Sequence, residues 1–213
     1  MEKSNTKQEI LDTALSLFSV QGYEATSVSQ IADAVGIRKA SMYSHFASKQ
    51  EILDALEREV LEQYAERSIF ARADWNDPEF TKNMRDITPD TALQMAMGQI
   101  SYILHDPQIS KSRKMLTIEQ FQNTRLSELQ TKQNYTDVMR YFTGLISFLV
   151  SQGKLTDNDP EIMAAQFCLP VSAWINLCDR EPEREKEVMG LIERHIRQFF
   201  RVYGADKQPE ARM

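Results

Sequence analysis

The segment from Gly36 to Lys49 carries the side chains of this sequence that are best suited to binding a polyanion. Its fourteen residues include the cations Arg38, Lys39 and Lys49, several hydroxyl groups and one histidine, and they include no Asp or Glu. Guanidinium, ammonium and hydroxyl groups are the donors that hold phosphate oxygens in protein–nucleic acid complexes. Three cations in fourteen residues also occur on ordinary solvated surfaces, so charge alone leaves both interpretations open.

The acidity of the whole chain does not exclude such a partner, because the charge is unevenly distributed. The 213 residues include 31 Asp and Glu against 25 Lys and Arg, for a net charge of −6. Residues 1–50 contain five acidic and five basic side chains, so residues 51–213 carry the entire net charge. Attraction to phosphate is screened over about 10 Å at ordinary salt, and a local basic surface is therefore sufficient.

The other reactive residue types are not arranged for catalysis or metal binding. His45, His105 and His195 lie in three different predicted helices, with no cysteine or histidine at metal-ligand spacing around them. Cys168 and Cys178 are ten residues apart on one predicted helix, about 15 Å along its axis, which is too far for a disulfide within the chain. No glycine-rich phosphate loop, nucleophile elbow or HExxH motif occurs. We therefore expect no metal, no cofactor and no enzymatic activity.

Nothing in the sequence points to a membrane or to secretion. The longest apolar patch, Leu145 to Val150, is interrupted by Ser147 and falls short of the roughly 18 residues of a membrane span. The first residues lack the apolar core of a signal peptide, and two cysteines are too few for a disulfide scaffold. We expect a soluble cytoplasmic protein without a membrane partner.

The elements that position the basic segment are two short helices. Ser27, with a glutamine three residues later, predicts a capping box that opens the first helix, and Gly36 ends it. The second helix spans roughly 39–46, and its apolar Met42 and Phe46 face inward. This arrangement is a helix-turn-helix, in which the second helix can enter the major groove of DNA. Many helical proteins contain such a turn without binding DNA, so this pattern is only moderately specific.

The remainder of the chain also follows helical periodicity, and no alternating run is long enough for a strand. Ser48 caps a connecting helix of about 48–70, and several later helices begin at a proline, as helices with proline in the first position do. The sequence therefore predicts an all-α fold of about nine to ten helices. The later helices are predicted at about 78–86, 90–105, 107–130, 133–152, 160–179 and 183–203.

Two longer stretches, from Gly22 to Ala32 and from Gly36 to Leu53, resemble the DNA-binding domain of the tetracycline-repressor (TetR) family. The resemblance covers roughly residues 6–55, about a quarter of the chain. It implies an N-terminal three-helix DNA-binding domain with a helix-turn-helix at 1–50. It also implies a larger C-terminal helical domain for ligand binding and dimerisation at 51–213.

The resemblance also implies which residues contact DNA. Tyr43 and Lys49 match positions that usually hold phosphates, and Lys39 and His45 match frequent DNA contacts. Thr26 and Ser27 open the second helix of the domain, where the family often touches the DNA backbone. The predicted DNA-binding residues are Thr26, Ser27, Arg38, Lys39, Ala40, Ser41, Tyr43, Ser44, His45 and Lys49.

Two positions depart from the family pattern, which often has Ser or Thr where this chain has Arg38 and Gly where it has Ala40. Arg38 gives up a side-chain helix cap worth about 1 kcal/mol and supplies a planar group with five donors. Our hypothesis is that Arg38 binds a guanine or a phosphate. The alternative is a solvated arginine at the start of a helix.

The helices from about 78 to 152 supply apolar side chains with a few polar groups, which is the usual composition of a small-molecule site. Apolar residues at helical spacing most often belong to an ordinary core, so the residues alone leave the assignment open. The resemblance implies a pocket for a small-molecule effector. The predicted ligand contacts are Met95, Gln99, Tyr102, Met115, Phe121, Phe142 and Trp174.

The last two predicted helices carry broad apolar stripes, which could belong either to the core of a monomer or to an interface. The resemblance implies that these helices pack against their copies in a four-helix homodimer interface. A dimer also suits recognition, because two short helices on a two-fold axis can bind a palindrome. The predicted interface residues are Met163, Phe167, Trp174, Val188, Ile192, Ile196 and Phe199.

The leading hypothesis is therefore a homodimeric transcriptional regulator, a repressor that a small-molecule ligand releases from a palindromic operator in double-stranded DNA. An activator, or a regulator that needs its ligand to bind DNA, is the alternative within this class. A helical interaction module that has lost DNA binding is the alternative from another class. The joint presence of Lys39, Tyr43, His45 and Lys49 counts against that module.

Overall fold

The computed structural model describes residues 6–82 and 84–205, and every regular element in these ranges is a helix. Strand-like pairing in this part of the chain is limited to a single bridge between Leu155 and Gly204. The predicted all-α class is confirmed. The α-helices are α1 (Thr6–Ala25), α2 (Val28–Val35), α3 (Lys39–Met42), α4 (Lys49–Arg67), α5 (Ile69–Arg72), α6 (Pro78–Lys82), α7 (Pro89–His105), α8 (Pro107–Glu119), α9 (Thr124–Thr131), α10 (Asp137–Ser151), α11 (Pro160–Arg180) and α12 (Glu185–Tyr203). A π-helix at Lys132–Thr136 precedes α10, and a 3₁₀ turn at Pro182–Arg184 precedes α12.

The local capping signals around the helix-turn-helix are confirmed. Ser27 Oγ accepts the N–H of Gln30 at 3.2 Å, and the Gln30 side chain accepts the N–H of Ser27 at 2.7 Å. Gly36 ends α2 in the left-handed conformation with φ 81°, as a C-terminal glycine does. Ser48 Oγ accepts the N–H of Glu51 at 3.1 Å and opens α4.

Several predicted helices are shorter or divided. The helix predicted at 107–130 is interrupted after Glu119, because Asn123 accepts the N–H of Leu126 and starts a new helix, α9. The helix predicted at 39–46 is assigned only as far as Met42, and the connecting helix predicted at 48–70 ends at Arg67. Each difference amounts to one or two helical turns. Over that length, side-chain caps determine where a helix ends, and apolar periodicity does not locate the end.

The first compact unit comprises residues 1–68 and 106–132, of which the described part contains α1–α4, α8 and α9. Arg125 on α9 pairs with Glu57 on α4 at 3.1 Å, and Lys111 on α8 donates to Ser16 on α1 at 2.8 Å. This unit is larger than the 1–50 segment, whose boundary as a functional domain stays a prediction. Its buried core includes Ile10, Phe18, Ile31, Met42, Phe46, Ile52, Leu56, Met115, Leu116 and Leu126.

The second compact unit comprises residues 69–105 and 133–213, and its described part contains α5–α7 and α10–α12. Two apolar clusters form its core. One joins α7, α11 and α12, and the other joins α10, α11 and α12. Helix α12 contributes to both clusters, because its apolar stripe faces the other helices of the same unit. The residues of that stripe are Val188, Ile192, Ile196 and Phe199.

Within the described ranges, α11 is the one helix long and apolar enough to cross a membrane by length and composition. Its sequence contains no uninterrupted apolar run of that length, because Gln166, Ser172 and Asn176 divide it. Length and composition are weak support for a membrane span, since core helices pass the same test. Most residues of the apolar window are only partly buried within the chain, and Ile162, Gln166 and Ala173 are exposed.

Candidate nucleic-acid interface

Helix α3 is anchored by its apolar side and presents its polar side to solvent. Met42 is fully buried and Phe46 is 2 % exposed, so both hold the helix to the core of the first unit. The remaining side chains of this segment point away from that core. Those classed as exposed are Arg38, Lys39, Ala40, Ser41, Tyr43 and Ser44, and His45 is half-buried. The structure thus brings seven of the ten predicted DNA contacts onto one segment.

Arg38 occupies the N-terminal cap position of α3, and its side chain makes no capping hydrogen bond there. Its backbone is extended, with φ −71° and ψ 143°, and its carbonyl accepts the N–H of Ser41 at 2.8 Å. The predicted loss of a side-chain cap is therefore confirmed. Because the guanidinium is exposed at the end of the helix that would meet DNA, all five of its donors can reach an external partner.

Thr26 and Ser27, the predicted contacts at the start of α2, serve the protein itself. Thr26 is 1 % exposed, and its hydroxyl donates to the Gly22 carbonyl at 2.8 Å and accepts from Gln21 at 2.9 Å. Its side chain is consequently not part of the exposed surface. Ser27 is exposed, but its hydroxyl already accepts a hydrogen bond in the capping box.

Lys49 is the predicted contact whose position differs most from the expectation. Its ammonium donates to the carbonyl oxygens of Tyr23 at 2.7 Å and Thr26 at 3.0 Å. It also lies 4.0 Å from the centroid of the Tyr23 ring, within the range of a cation–π interaction. Two of the three ammonium donors are therefore used inside the first unit.

Glu119, at the end of α8, also contacts this region, and sequence reasoning did not identify it. Its carboxylate accepts the N–H of Tyr23 at 2.7 Å, and the residue is only 4 % exposed. Burial raises the pKa of Tyr23, and the carboxylates of Glu24, Asp54 and Glu119 raise it further. No motif signals such a contact, because 96 residues separate the two partners.

The predicted ligand contacts are not gathered into one place. Met115 is fully buried in the core of the first unit, and Phe121, also in that unit, is 86 % exposed. The other five belong to the second unit and lie on three different helices. They are Met95, Gln99 and Tyr102 on α7, Phe142 on α10 and Trp174 on α11.

Most of the predicted dimer contacts are buried within the single chain, and their assignment to an interface stays a prediction. Val188, Ile192 and Ile196 are at most 1 % exposed and fill the core of the second unit. Met163 and Phe199 are likewise buried within the chain, because the apolar stripes of α11 and α12 face each other and their neighbours. Only Phe167 and Trp174, both half-buried, keep surface that a partner could contact.

A surface groove of about 450 Å³ lies on α11 and α12 of the second unit. His195 at its edge is hydrogen-bonded to the Phe167 carbonyl at 2.9 Å, and Arg197 pairs with Glu193 at 3.0 Å. The groove mixes aromatic, aliphatic and cationic side chains. They are Trp174, Leu191, Arg194, His195, Arg197, Gln198 and Arg201.

Comparisons with known proteins agree on the identity of the N-terminal segment. Residues 10–56 match the family described as bacterial regulatory proteins, tetR family. The chain is 45 % identical over 60 residues to the HTH-type transcriptional repressor KstR2 of Rhodococcus jostii, covering 28 % of this chain and 29 % of KstR2. It is 48 % identical over 48 residues to IcaR of Staphylococcus aureus, a negative transcriptional regulator of the biofilm operon icaADBC, covering 22 % of this chain and 26 % of IcaR. The matched segment thus spans less than a third of either relative.

Solved structures extend the likeness to the whole fold. SmeT, the repressor of the Stenotrophomonas maltophilia multidrug efflux pump SmeDEF, superimposes with a TM-score of 0.63 at 18 % identity, covering 96 % of this chain and 93 % of SmeT. SmeT in complex with triclosan gives a TM-score of 0.59 at 18 % identity, with 95 % and 93 % covered. The matched segment therefore resembles the DNA-binding part of the tetR family of bacterial regulatory proteins, and the solved structures show that the likeness in fold extends over nearly the whole chain.

Proposed function

We propose that this chain is a sequence-specific DNA-binding transcriptional regulator that acts as a repressor in the cytoplasm. The observation that carries the proposal is the exposed surface of α3, whose apolar residues anchor it while Arg38, Lys39 and Tyr43 face outward. The segment from Gly36 to Lys49 contains no acidic residue, so no fixed negative charge within it opposes a phosphate backbone. An α-helix of this kind fits the major groove.

The exposed residues divide by the contact that each can make. Lys39 and Tyr43 supply an ammonium and a hydroxyl to phosphate oxygens, which fix the position of the helix without reading sequence. Arg38 can bind the O6 and N7 atoms of guanine with two parallel hydrogen bonds, the commonest specific contact in the major groove. Ala40 and Ser41 are small, so the first turn of α3 can approach the DNA closely.

The sign of regulation is proposed from the relatives. KstR2 is a repressor and IcaR is a negative regulator, and their similarity to this chain lies in the segment that contains the helix-turn-helix. A repressor needs only to occupy an operator, whereas an activator must also contact the transcription machinery. Because the exposed cationic helix of this chain is short, the role that needs only occupation of an operator suits it better.

A homodimer on a palindromic operator is part of the proposal, with an interface different from the predicted one. The outward stripe of α11 contains Ile162, Leu169 and Ala173 at spacings of seven and four residues, and none of them is buried within the chain. Ile162 is 54 % exposed. Two copies related by a two-fold axis would cover these stripes and the adjoining groove at Trp174, and such a dimer suits a palindromic site.

We propose that a small-molecule effector binds among the aromatic residues of the second unit. Phe142 lies 5.0 Å from Phe167 between ring centroids, and Tyr141 lies 5.3 Å from Phe70 and 5.5 Å from Trp75. The buried indole N–H of Trp75 has no hydrogen-bond partner in the described part of the chain, so an acceptor on a ligand would satisfy it. The complex of SmeT with triclosan supports an aromatic effector.

A titration on DNA tests the proposal. A library of random duplexes and the duplex flanking the gene would be offered to the purified protein, and binding followed by fluorescence anisotropy at several salt concentrations. We expect specific binding whose logarithmic affinity falls steeply with the logarithm of salt concentration. The absence of binding to every duplex would instead favour a helical interaction module. Transcription from a reporter carrying the selected site would then separate a repressor from an activator.

A further inference from the structure

Near its C-terminal end, α1 is kinked by a turn that is built around a glycine in a conformation that other residues rarely adopt. Gly22 has φ 82° and ψ 168°, which lies in a backbone region populated almost only by glycine. Tyr23 follows Gly22. Four residues after Tyr23, Ser27 caps α2, which is the first helix of the helix-turn-helix. The conformation of this turn therefore determines where α2 begins.

Two charged side chains from elsewhere in the first unit bind the backbone of Tyr23. Glu119 of α8 accepts its N–H at 2.7 Å, and Lys49 of α4 donates to its carbonyl oxygen at 2.7 Å. Lys49 extends the same ammonium to the Thr26 carbonyl at 3.0 Å. Hydrogen bonds with one charged partner are roughly twice as strong as neutral ones, so this turn is held more firmly than a turn bonded only to itself.

The side chain of Tyr23 is held as well. Its hydroxyl lies 3.2 Å from Gln50 Oε1, to which it donates, and its ring packs edge-on against Phe18 at a centroid distance of 5.4 Å. The Lys49 ammonium above the ring adds a cation–π contact. Tyr23 thus receives contacts from α1, α4 and α8 together.

Glu119 is packed closely against this turn rather than extended into solvent. The residue is 4 % exposed, and a Cβ atom added to Gly22 would lie 3.1 Å from its carboxylate oxygen. A buried carboxylate is unfavourable unless hydrogen bonds compensate its lost hydration. The N–H of Tyr23 supplies one such bond, which ties the end of α8 to the start of the helix-turn-helix.

We infer that Glu119 and Lys49 are positioning residues for DNA recognition, a pair that we name the turn clamp. By holding Tyr23 from both sides, the clamp fixes the orientation of α2 and of α3 behind it. The inference rests on the proposed DNA-binding function. It gives Lys49 a role different from the phosphate contact expected from family resemblance, because its donors are directed to the Tyr23 and Thr26 carbonyls.

The clamp makes DNA affinity depend on a helix far from α3 in the sequence. Helix α8 begins after Asp106, where the chain enters the first unit, and ends at Glu119 on the clamp. A displacement of α8 by the length of a hydrogen bond would leave the part-buried N–H of Tyr23 without its acceptor. The position of α8 and the orientation of the recognition helix are consequently linked.

The test compares Glu119→Leu, Glu119→Gln and Lys49→Met with the wild type on a fluorescein-labelled duplex that the wild type selects from a random library. Lys111→Met is the matched control, since Lys111 also joins α8 to α1 through Ser16 but lies two turns away from the clamp. Dissociation constants are measured across a series of potassium chloride concentrations. Thermal denaturation and hydrogen exchange of the Tyr23 amide report on folding and on the clamp itself.

We expect Glu119→Leu to weaken DNA binding roughly tenfold, because the part-buried Tyr23 N–H loses its acceptor and the turn before α2 is no longer held. Glu119→Gln keeps an acceptor and should remain within about threefold of the wild type. The Tyr23 amide should exchange faster in Glu119→Leu but not in Lys111→Met. Lys49→Met should weaken binding roughly tenfold while the dependence of affinity on salt concentration stays unchanged.

The opposite results overturn the inference. If Glu119→Leu binds like the wild type, or if Lys111→Met weakens binding equally at equal thermal stability, the clamp has no positioning role. A fall of about 0.9 in the salt slope of Lys49→Met would make Lys49 a phosphate ligand. If Glu119→Leu does not fold, two measurements on Lys49→Met decide instead. They are the dependence of its DNA affinity on salt concentration, expected to be unchanged, and the exchange rate of its Tyr23 amide. A wild type that selects no duplex would overturn the DNA-binding proposal itself, a result distinct from the others.

Discussion

Helix α3 in the first unit and helix α12 in the second share a pattern, with apolar residues buried on one side and cations exposed on the other. On α12 the exposed Arg197 is paired with acids, because it lies 3.0 Å from Glu193 and 3.3 Å from Asp90. The segment around α3 contains no acid from Gly36 to Lys49. The comparison teaches that exposed arginines indicate a polyanion only where neighbouring carboxylates do not neutralise them.

The two helices also differ in what anchors them. Helix α3 spans a single turn and depends on Met42 and Phe46, together with caps on both of its neighbours. Helix α12 is 19 residues long and depends on a continuous stripe that fills the core of its unit. A short helix of this kind can present a functional surface only if the rest of its unit holds it rigidly.

The largest expected effect is a loss of stability at the apolar stripe of α12, and it tests the difference drawn between α3 and α12. Ile192→Ala should lower the free energy of unfolding by about 2–5 kcal/mol, because Ile192 is fully buried and its removal leaves a cavity. Ile162→Ala, on the exposed stripe of α11, is the matched control and should leave monomer stability nearly unchanged while weakening the dimer. Urea unfolding and sedimentation equilibrium measure the two properties. If Ile192→Ala dissociated the dimer without lowering the free energy of unfolding, the apolar stripe of α12 would belong to the dimer interface.

The second prediction concerns the exposed cations of α3. Arg38→Ala should reduce operator affinity by about 1–3 kcal/mol and relax the preference at one base pair, as expected for a guanine contact. Lys39→Ala should weaken all duplexes about equally and reduce the salt slope by about 1, as expected for a phosphate contact. Selection on randomised duplexes with each variant distinguishes the two outcomes. An unchanged base preference with Arg38→Ala would leave Arg38 as a solvated residue.

The third prediction tests the caps that hold α2. Ser27→Ala removes the capping box with Gln30 and should lower the free energy of unfolding by about 1 kcal/mol. Arg38→Ser is the complementary change, since it offers α3 the cap that it lacks, and should raise stability by a few tenths of a kcal/mol while weakening DNA binding. Urea unfolding with anisotropy on the same samples measures both. If the two variants had the same free energy of unfolding, these caps would not determine the stability of the first unit.

Sequence reasoning predicted the first unit well because its signals are local. The capping box at Ser27, the left-handed Gly36 and the cap at Ser48 each involve residues within four positions of one another. Glu119 could not be predicted in the same way, because its contact with Tyr23 joins residues 96 positions apart and no pattern distinguishes it from any other helix-terminal glutamate.

In the second unit the same reasoning was less successful, because an apolar stripe has the same spacing whether it faces its own core or a partner. Val188 and Ile192 were therefore assigned to an interface, whereas the single chain buries both in the core of the second unit. The candidate ligand residues met the same difficulty, since Met115 belongs to a core and Phe121 to an exposed surface. Periodicity identifies the apolar side of a helix, and only the three-dimensional arrangement determines what covers it.

The smallest expected effect concerns Tyr141 in the aromatic group of the second unit. Burial raises the pKa of its hydroxyl from the ordinary 10.0 to about 12. The unfolded chain therefore ionises Tyr141 at lower pH than the folded chain does, so stability is complete below pH 10 and declines as the pH rises toward 12. At a pH of about 10.5 this single group should lower the free energy of unfolding by about 0.8 kcal/mol.

Tyr141→Phe removes that ionisation and isolates its contribution. The variant should lose less stability than the wild type when urea unfolding is repeated from pH 9 upward to about pH 10.5. Tyr43→Phe is the matched control, because it removes the same hydroxyl from a tyrosine that is 49 % exposed and lies outside the aromatic group. Equal slopes for Tyr141→Phe and the wild type would mean that Tyr141 is hydrated in the folded chain. An aromatic group that admits water at Tyr141 would be loosely packed, whereas the expected slope requires that the group be closed around the hydroxyl.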